Sequence, residues 1–207
     1  MALKVKFLKS AVVPKDYPHG KKPEVGVIGR SNAGKSSFIN ALVEGRNQKV
    51  AKVSSTPGKT RLLNFFQAGD HYLYVDMPGY GFASRSYGER DDWKPMVEQY
   101  LKNRENLVAI VLIMDIRRDW EQEEQLMWEW AQFHEIPLVV VLNKMDKVKR
   151  NFQLRRARQL AEKSGVNSVF MISALKKQGI DELEDYLFRN FVKDTPRKEP
   201  QDSADSE

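Results

Sequence analysis

The chain has 207 residues, a formal net charge of +6 and no cysteine. That length suits one domain with a sizeable core, and the missing thiols exclude disulfides and cysteine-ligated metals. No run of ~18 uninterrupted apolar residues offers a membrane span, and lysines break every apolar run of Met1 to Lys9, so the chain has no signal-peptide core and is expected to be soluble and unsecreted.

In chain order, apolar patterning and turn residues predict strands near 5–12, 24–28, 62–67, 71–75, 107–114, 137–142 and 168–172. Helices are predicted near 35–44, 90–104, 120–134, 151–164 and 180–192, the fourth stopping at Gly165 and the fifth presenting Ile180, Leu183, Leu187 and Phe191 at helical spacing. Pro95 fits its helix only in the first turn. In the third helix the 3.6-residue period turns Met127, Trp130 and Phe133 to the core and leaves Trp128 for solvent. The alternation of strand and helix predicts an α/β fold, a mostly parallel sheet with helices on both faces.

The most informative segment is Gly29-Arg30-Ser31-Asn32-Ala33-Gly34-Lys35-Ser36, a complete GxxxxGK[ST] phosphate-binding loop between a predicted strand and a predicted helix. Gly29 and Gly34 let the backbone curl so that successive N–H groups face a β-phosphate. Lys35 reaches the β- and γ-oxygens, the Ser36 hydroxyl ligates Mg²⁺, and the helix N-terminus favours the anion. The apolar Tyr72-Leu73-Tyr74-Val75 then runs into Asp76-Met77-Pro78-Gly79, which offers a carboxylate to the metal's outer shell and a glycine N–H to a γ-phosphate.

Two further strand ends select the base: Asn143-Lys144-Met145-Asp146, and Ser173-Ala174 after Val169 to Ile172. Guanine presents N1–H and an exocyclic amine, so Asp146 accepts two charge-assisted hydrogen bonds while the Ala174 N–H donates to O6. Adenine would leave that carboxylate unpaired, a mismatch that discriminates by roughly 10⁴ or more. Asn143 ties this loop to the phosphate loop, and the Lys144 stem covers the base. In an open α/β sheet the ligand lies at the carboxyl ends of the strands, so all these motifs converge on one place.

On these residues the chain resembles the translation-factor-like P-loop GTPases (small G domains). It resembles more closely the EngB family (YihA/YsxC) of bacterial ribosome-assembly GTPases, through Gly29 to Ser37, Thr56 to Arg61, Asp76 to Gly81, Met114 to Arg117 and Ser173 to Gly179. The resemblance spans roughly residues 7 to 192. It implies a nucleotide site built from residues 29–36, from Gly58, Lys59, Thr60, Arg61 and Leu62, from Asp76, Met77, Pro78 and Gly79, from Asn143, Lys144, Met145 and Asp146, and from Ile172, Ser173 and Ala174. Lys35, Thr60 and Gly79 would act on the γ-phosphate, and Ser36 and Thr60 would hold Mg²⁺; Ser54, Ser55 and Thr56 compete with Thr60 on chemistry alone. The implied activity is cytoplasmic hydrolysis of GTP to GDP in assembly of the large ribosomal subunit, with rRNA contact, no membrane or DNA partner, and an association with cell division and septation. The alternative is an RNA- or ribosome-binding module in which nucleotide is mainly structural.

Two long loops, 45–61 and 79–88, are expected to carry the switching. Tyr80 stands where Ras-like enzymes place a water-orienting glutamine, so intrinsic hydrolysis is expected to be slow; Lys59, Arg61 and Arg85 lie in the right loops, but none is identified as a substitute. Asn32 occupies the position of a K⁺ ligand in the related potassium-activated GTPases, which makes K⁺ a second candidate cation; equally, asparagine serves a turn through local hydrogen bonds. The expected organisation is a basic N-terminal segment with a leading strand (1–22), a G domain (23–193) and an acidic disordered tail (194–207). That tail carries two cations against five acids, so residues 1–193 hold +9, compatible with RNA contact.

Overall fold

The computed structural model describes residues 5–42, 62–79 and 94–194. Gly58, Lys59, Thr60, Arg61, Tyr80 and Arg85, both expected switch loops except Gly79, and residues 195–207 of the expected tail lie outside them. Seven strands form one sheet: β1 (Val5–Ala11), β2 (Glu24–Gly29), β3 (Leu63–Ala68), β4 (Tyr72–Asp76), β5 (Leu107–Asp115), β6 (Leu138–Asn143) and β7 (Val169–Met171). Their order is β1-β3-β4-β2-β5-β6-β7; β3 pairs antiparallel with β1 and β4, and β4, β2, β5, β6 and β7 run parallel. The parallel strands are covered on both faces, which is why the sequence shows unbroken apolar runs there rather than alternation.

Five helices supply that cover: α1 (Lys35–Leu42), α2 (Lys94–Asn103), α3 (Gln122–Phe133), α4 (Arg150–Ser164) and α5 (Ile180–Leu187). Met96, Val97 and Tyr100 of α2, Ala131 of α3 and Leu160 of α4 pack on one face with Ile28, Leu112 and Val140. Phe38, Ile39 and Leu42 of α1 and Ile180, Leu183 and Leu187 of α5 pack on the other with Val27, Val111 and Val141. Alternate strand residues thus serve opposite cores. Pro95 is the second residue of α2, in its first turn, where the missing N–H removes no helix bond. Gly165 ends α4 with φ 70°, the left-handed stop that glycine permits.

The helix expected over 180–192 divides: α5 ends at Leu187 and a π-helical turn runs Phe188–Val192. Trp128 is not the exposed tryptophan of α3. It is partly buried against the core with Met127 and Trp130, close to Gly165, whereas Phe133 is 83% exposed. The end of α4 lies over Trp128, and the last turn of α3 projects past the core at Phe133, which helical spacing alone does not reveal.

Candidate functional site

The phosphate-binding loop joins β2 to α1 and is shaped by close approach as much as by curl. A Cβ on Gly29 would stand 2.2 Å from the Ile113 carbonyl oxygen, so glycine is required by the pairing of β2 with β5 rather than, as expected, by a turn. The left-handed residues are Asn32 (φ 64°) and Gly34 (φ 99°). A Cβ on Gly34 would also lie 2.3 Å from Asn143 Nδ2, so any side chain there collides with the base loop. The Ala33 N–H donates to the Arg30 carbonyl at 3.1 Å, and α1 takes over with Phe38 N–H to Gly34 at 2.9 Å. The N–H groups of the α1 turn ahead of Phe38 have no carbonyl partner within the helix.

At the end of β4, Asp76 is 4% exposed and stands 3.9 Å from Lys35 Nζ. Its Oδ1 is buried without a hydrogen-bond partner. Burial raises the Asp76 pKa against the opposing pull of Lys35. The chain then brings Gly79 against the loop: a Cβ there would sit 3.1 Å from Gly29 O, 3.4 Å from Lys35 Nζ and 3.4 Å from Ser31 N. Phosphate loop, carboxylate and glycine are thus one constellation. The Met77 side chain points into the core, where its Cε would meet a Cβ on Gly26, so only its backbone faces this region.

The base loop is wired to the phosphate loop as expected. Asn143, 1% exposed, donates from Nδ2 to the Ala33 carbonyl at 3.1 Å and accepts the Lys144 N–H at 2.7 Å. Its Oδ1 also accepts the Ala174 N–H at 3.1 Å. The amide that the sequence assigns to guanine O6 is thus bonded to Asn143 here, on the same strand-end loop as the rest of the base site. Ser173 Oγ donates to Asp146 Oδ1 at 2.6 Å; that hydrogen bond is the main reason the Asp146 carboxylate lies below its usual pKa. Ile172 is fully buried and Met145 packs against the core, so these two position the loops. Leu62 is 37% exposed just before β3.

One residue of this network, part of the Met114 to Arg117 segment, was given no role by the sequence. Asp115, at the end of β5, accepts two side-chain hydrogen bonds from Arg117, Nε to Oδ1 at 2.9 Å and a guanidinium nitrogen to Oδ2 at 2.7 Å. Lys144 Nζ lies 3.0 Å from its Oδ2 and donates to the Asn32 carbonyl at 2.6 Å. Burial alone would raise the Asp115 pKa, but the bonds from Arg117 and Lys144 outweigh it and hold the carboxylate well below the usual range. Lys144, itself left-handed at φ 65°, is therefore clamped across the loop. The signal was available: Leu107 to Met114 is an apolar strand ending in a carboxylate, the same arrangement that singled out Asp76. Arg30 likewise ion-pairs with Glu121 and, at 3.4 Å, with Glu123 at the start of α3.

Comparison with known proteins gives this geometry a family. The model described as "50S ribosome-binding GTPase" matches residues 24–144, and that of the elongation factor Tu GTP-binding domain matches residues 96–193. A "Probable GTP-binding protein EngB" of Bdellovibrio bacteriovorus is 53% identical over 190 residues, 92% of this chain and 94% of that protein. Its namesake in Citrifermentans bemidjiense is 44% identical over 84% of this chain and 82% of that protein. Among solved structures, one of a probable EngB covers 80% of this chain and 97% of its own at 25% identity and a TM-score of 0.62. Era, crystallised with MgGDPNP and nucleotides 1506–1542 of 16S ribosomal RNA, covers 89% of this chain and 61% of its own at 25% identity and a TM-score of 0.67. With relatives this similar over nearly its whole length, and with the small G-domain fold on which they act, the chain belongs to the EngB family of GTP-binding proteins and is a GTPase.

Proposed function

We propose that this GTPase is a slow, Mg²⁺-dependent molecular switch that assists assembly of the large ribosomal subunit in the cytoplasm and, through it, normal cell division and septation. The observation that carries the switch is the convergence of Lys35, Asp76 and Gly79 at one point. The ribosomal part is supported by the description of the matching family and by the RNA-bound state of the Era neighbour.

In this reading the N–H groups of residues 29–36 and Lys35 hold the β- and γ-phosphates, and the Gly79 N–H meets the γ-phosphate. Asp146 reads the guanine edge beneath the stem of Lys144. The residues fit a hard divalent cation: Asp76 Oδ1 is buried without a hydrogen-bond partner, with only Lys35 Nζ near it at 3.9 Å, and the Ser36 hydroxyl lies in the first turn of α1. Ser36 and Thr60 would hold Mg²⁺ directly, with Asp76 orienting its waters. When bound, the ion neutralises charge developing on the phosphate oxygens during attack of water on the γ-phosphorus, which yields GDP and inorganic phosphate. Lys35 is poised for the same task from the protein side. Asn32 has two compatible uses: its left-handed conformation shapes the loop, and its exposed side chain is open to a K⁺ ion.

Co-sedimentation with purified large subunits, compared under GTP analogue, GDP and no nucleotide, tests the reading. Binding favoured by the analogue is expected; particle binding indifferent to nucleotide would refute the switch, and no binding would refute the ribosomal role.

A further inference from the structure

The charge of this protein is concentrated rather than spread. Residues 147–163, which comprise the approach to α4 and nearly all of the helix, carry seven cations against the single acid Glu162, a net +6 equal to that of the whole chain. The neighbouring helices have the opposite bias: α3 holds Glu123, Glu124 and Glu129, and α5 holds Asp181, Glu182, Glu184 and Asp185, with no cation in either.

Three of the seven cations are occupied by the fold: Lys147, ahead of α4, lies 3.5 Å from Asp146 Oδ2, and two belong to α4 itself. Arg156 is buried, ion-pairs with Asp119 at 3.0 Å and donates to the Arg118 carbonyl; Lys163 donates to the Trp120 carbonyl at 3.1 Å. Lys149, Arg150, Arg155 and Arg158 are different. All four are exposed, and no carboxylate among the described residues pairs with them. Arg155 only lies over the Phe152 ring at 5.7 Å. At 1.5 Å per residue the stretch from Arg150 to Arg158 is about 12 Å long, and Arg155 and Arg158 project from the same side. With no carboxylate among the described residues to offset them, four cations this close repel one another, and a polyanion laid against the face relieves that repulsion.

The surface also adjoins the nucleotide site. The loop leading into α4 contains Asp146, and it is hydrogen-bonded to the loop after β7 through Ser173 Oγ and through Met145 N–H to the Ile172 carbonyl at 3.0 Å. That second loop carries exposed Lys176 and Lys177.

We infer that the exposed face of α4, centred on Lys149, Arg150, Arg155 and Arg158, is the surface by which the protein docks on the phosphate backbone of folded RNA. The inference rests on the ribosomal reading above and specifies which face meets the particle. Three of the four cations are arginines, whose planar fork matches two phosphate oxygens at once. The face has one exposed apolar residue between them, Leu154, where an interfacial membrane helix would need a continuous apolar stripe. A polyanion of closely spaced phosphates is the partner that complements it.

The test is a variant with Lys149→Gln, Arg150→Gln, Arg155→Gln and Arg158→Gln, beside a charge-matched control with Lys6→Gln, Lys15→Gln, Lys21→Gln and Lys102→Gln. Binding to purified large subunits, to their protein-free rRNA and to phosphatidylserine vesicles is measured across a salt series. Wild type and control are expected to bind particles and rRNA with a steep salt dependence. The α4 variant should lose at least tenfold in affinity at low salt, with a slope of log K against log salt shallower by about 3 if all four cations meet phosphates. Unchanged GDP affinity in both variants shows that folding is intact. Equal losses in variant and control, or none in either while wild type binds, would overturn the inference and leave the ribosomal role standing. Failure of wild type itself to bind particles overturns that role and the inference with it. Vesicle binding that depends on α4, without RNA binding, would assign the face to membranes instead.

Discussion

Asn143→Ala removes the side chain that holds three segments together. The buried Ala33 carbonyl loses its donor, the buried Ala174 N–H loses its acceptor, and the Lys144 N–H loses a shorter bond nearer solvent. A buried polar group left unsatisfied costs about 1–3 kcal/mol. Two fully buried groups, with some water entering the space, put the expected loss of folding stability at about 2–4 kcal/mol. Gly34 packs directly on the Asn143 amide, so truncation to alanine opens a gap between the phosphate loop and the base loop. The loss should therefore appear in the nucleotide kinetics too, as faster GDP release by tenfold or more, because the phosphate and base loops no longer move as one body. Urea unfolding and displacement of a fluorescent GDP measure the two effects. Asn143→Asp keeps oxygens that accept from Lys144 and Ala174 but sets a buried carboxylate against the Ala33 carbonyl, so it should lose at least as much stability as Asn143→Ala and also release GDP faster. A stability loss below about 1 kcal/mol with unchanged GDP release in Asn143→Ala would refute the wiring described.

The guanine contact predicts that Asp146→Asn weakens GTP and improves xanthosine triphosphate, read by competition against fluorescent GDP; equal displacement of GDP by ATP and GTP in wild type would refute base selection at Asp146. Glu184, buried and near Asp181 and Asp185, has its pKa pushed up to about 7 from the ordinary 4.5. The folded state therefore binds more protons than the unfolded state between these values, and stability should fall as pH rises through that window by on the order of 1–3 kcal/mol. Glu184→Gln should flatten that part of the urea pH profile, and an unchanged slope would refute the assignment. Hydrolysis should run faster in K⁺ than in Na⁺ at equal ionic strength, with Asn32→Ala erasing most of the difference while retaining GDP binding; identical rates would leave Asn32 its turn-shaping role alone.

The sequence alone determined the elements and most of the candidate site, because both are written in local pattern. An apolar run that ends in Asp76 or in Asn143 marks a strand whose carboxyl end carries a polar group, and the glycine and lysine spacing of 29–36 needs no tertiary knowledge to be read. What sequence could not fix was which polar group meets which. Asp115, Lys144 and Asn32 are joined only because β5 lies between β2 and β6, a consequence of strand order that no local window contains. The same holds for the Ala174 amide, claimed by an asparagine 31 residues away, and for Gly29, whose missing side chain answers to the backbone of Ile113. Helical periodicity places a residue on a face but not under a neighbour, so it took the packing of α4 to cover Trp128 and leave Phe133 exposed. The basic composition of residues 147–163 was visible from the start. Only the fold separated the three cations with partners among the described residues, Lys147 on Asp146, and Arg156 and Lys163 on the 118–120 turn packed beside α4, from the four it presents to solvent.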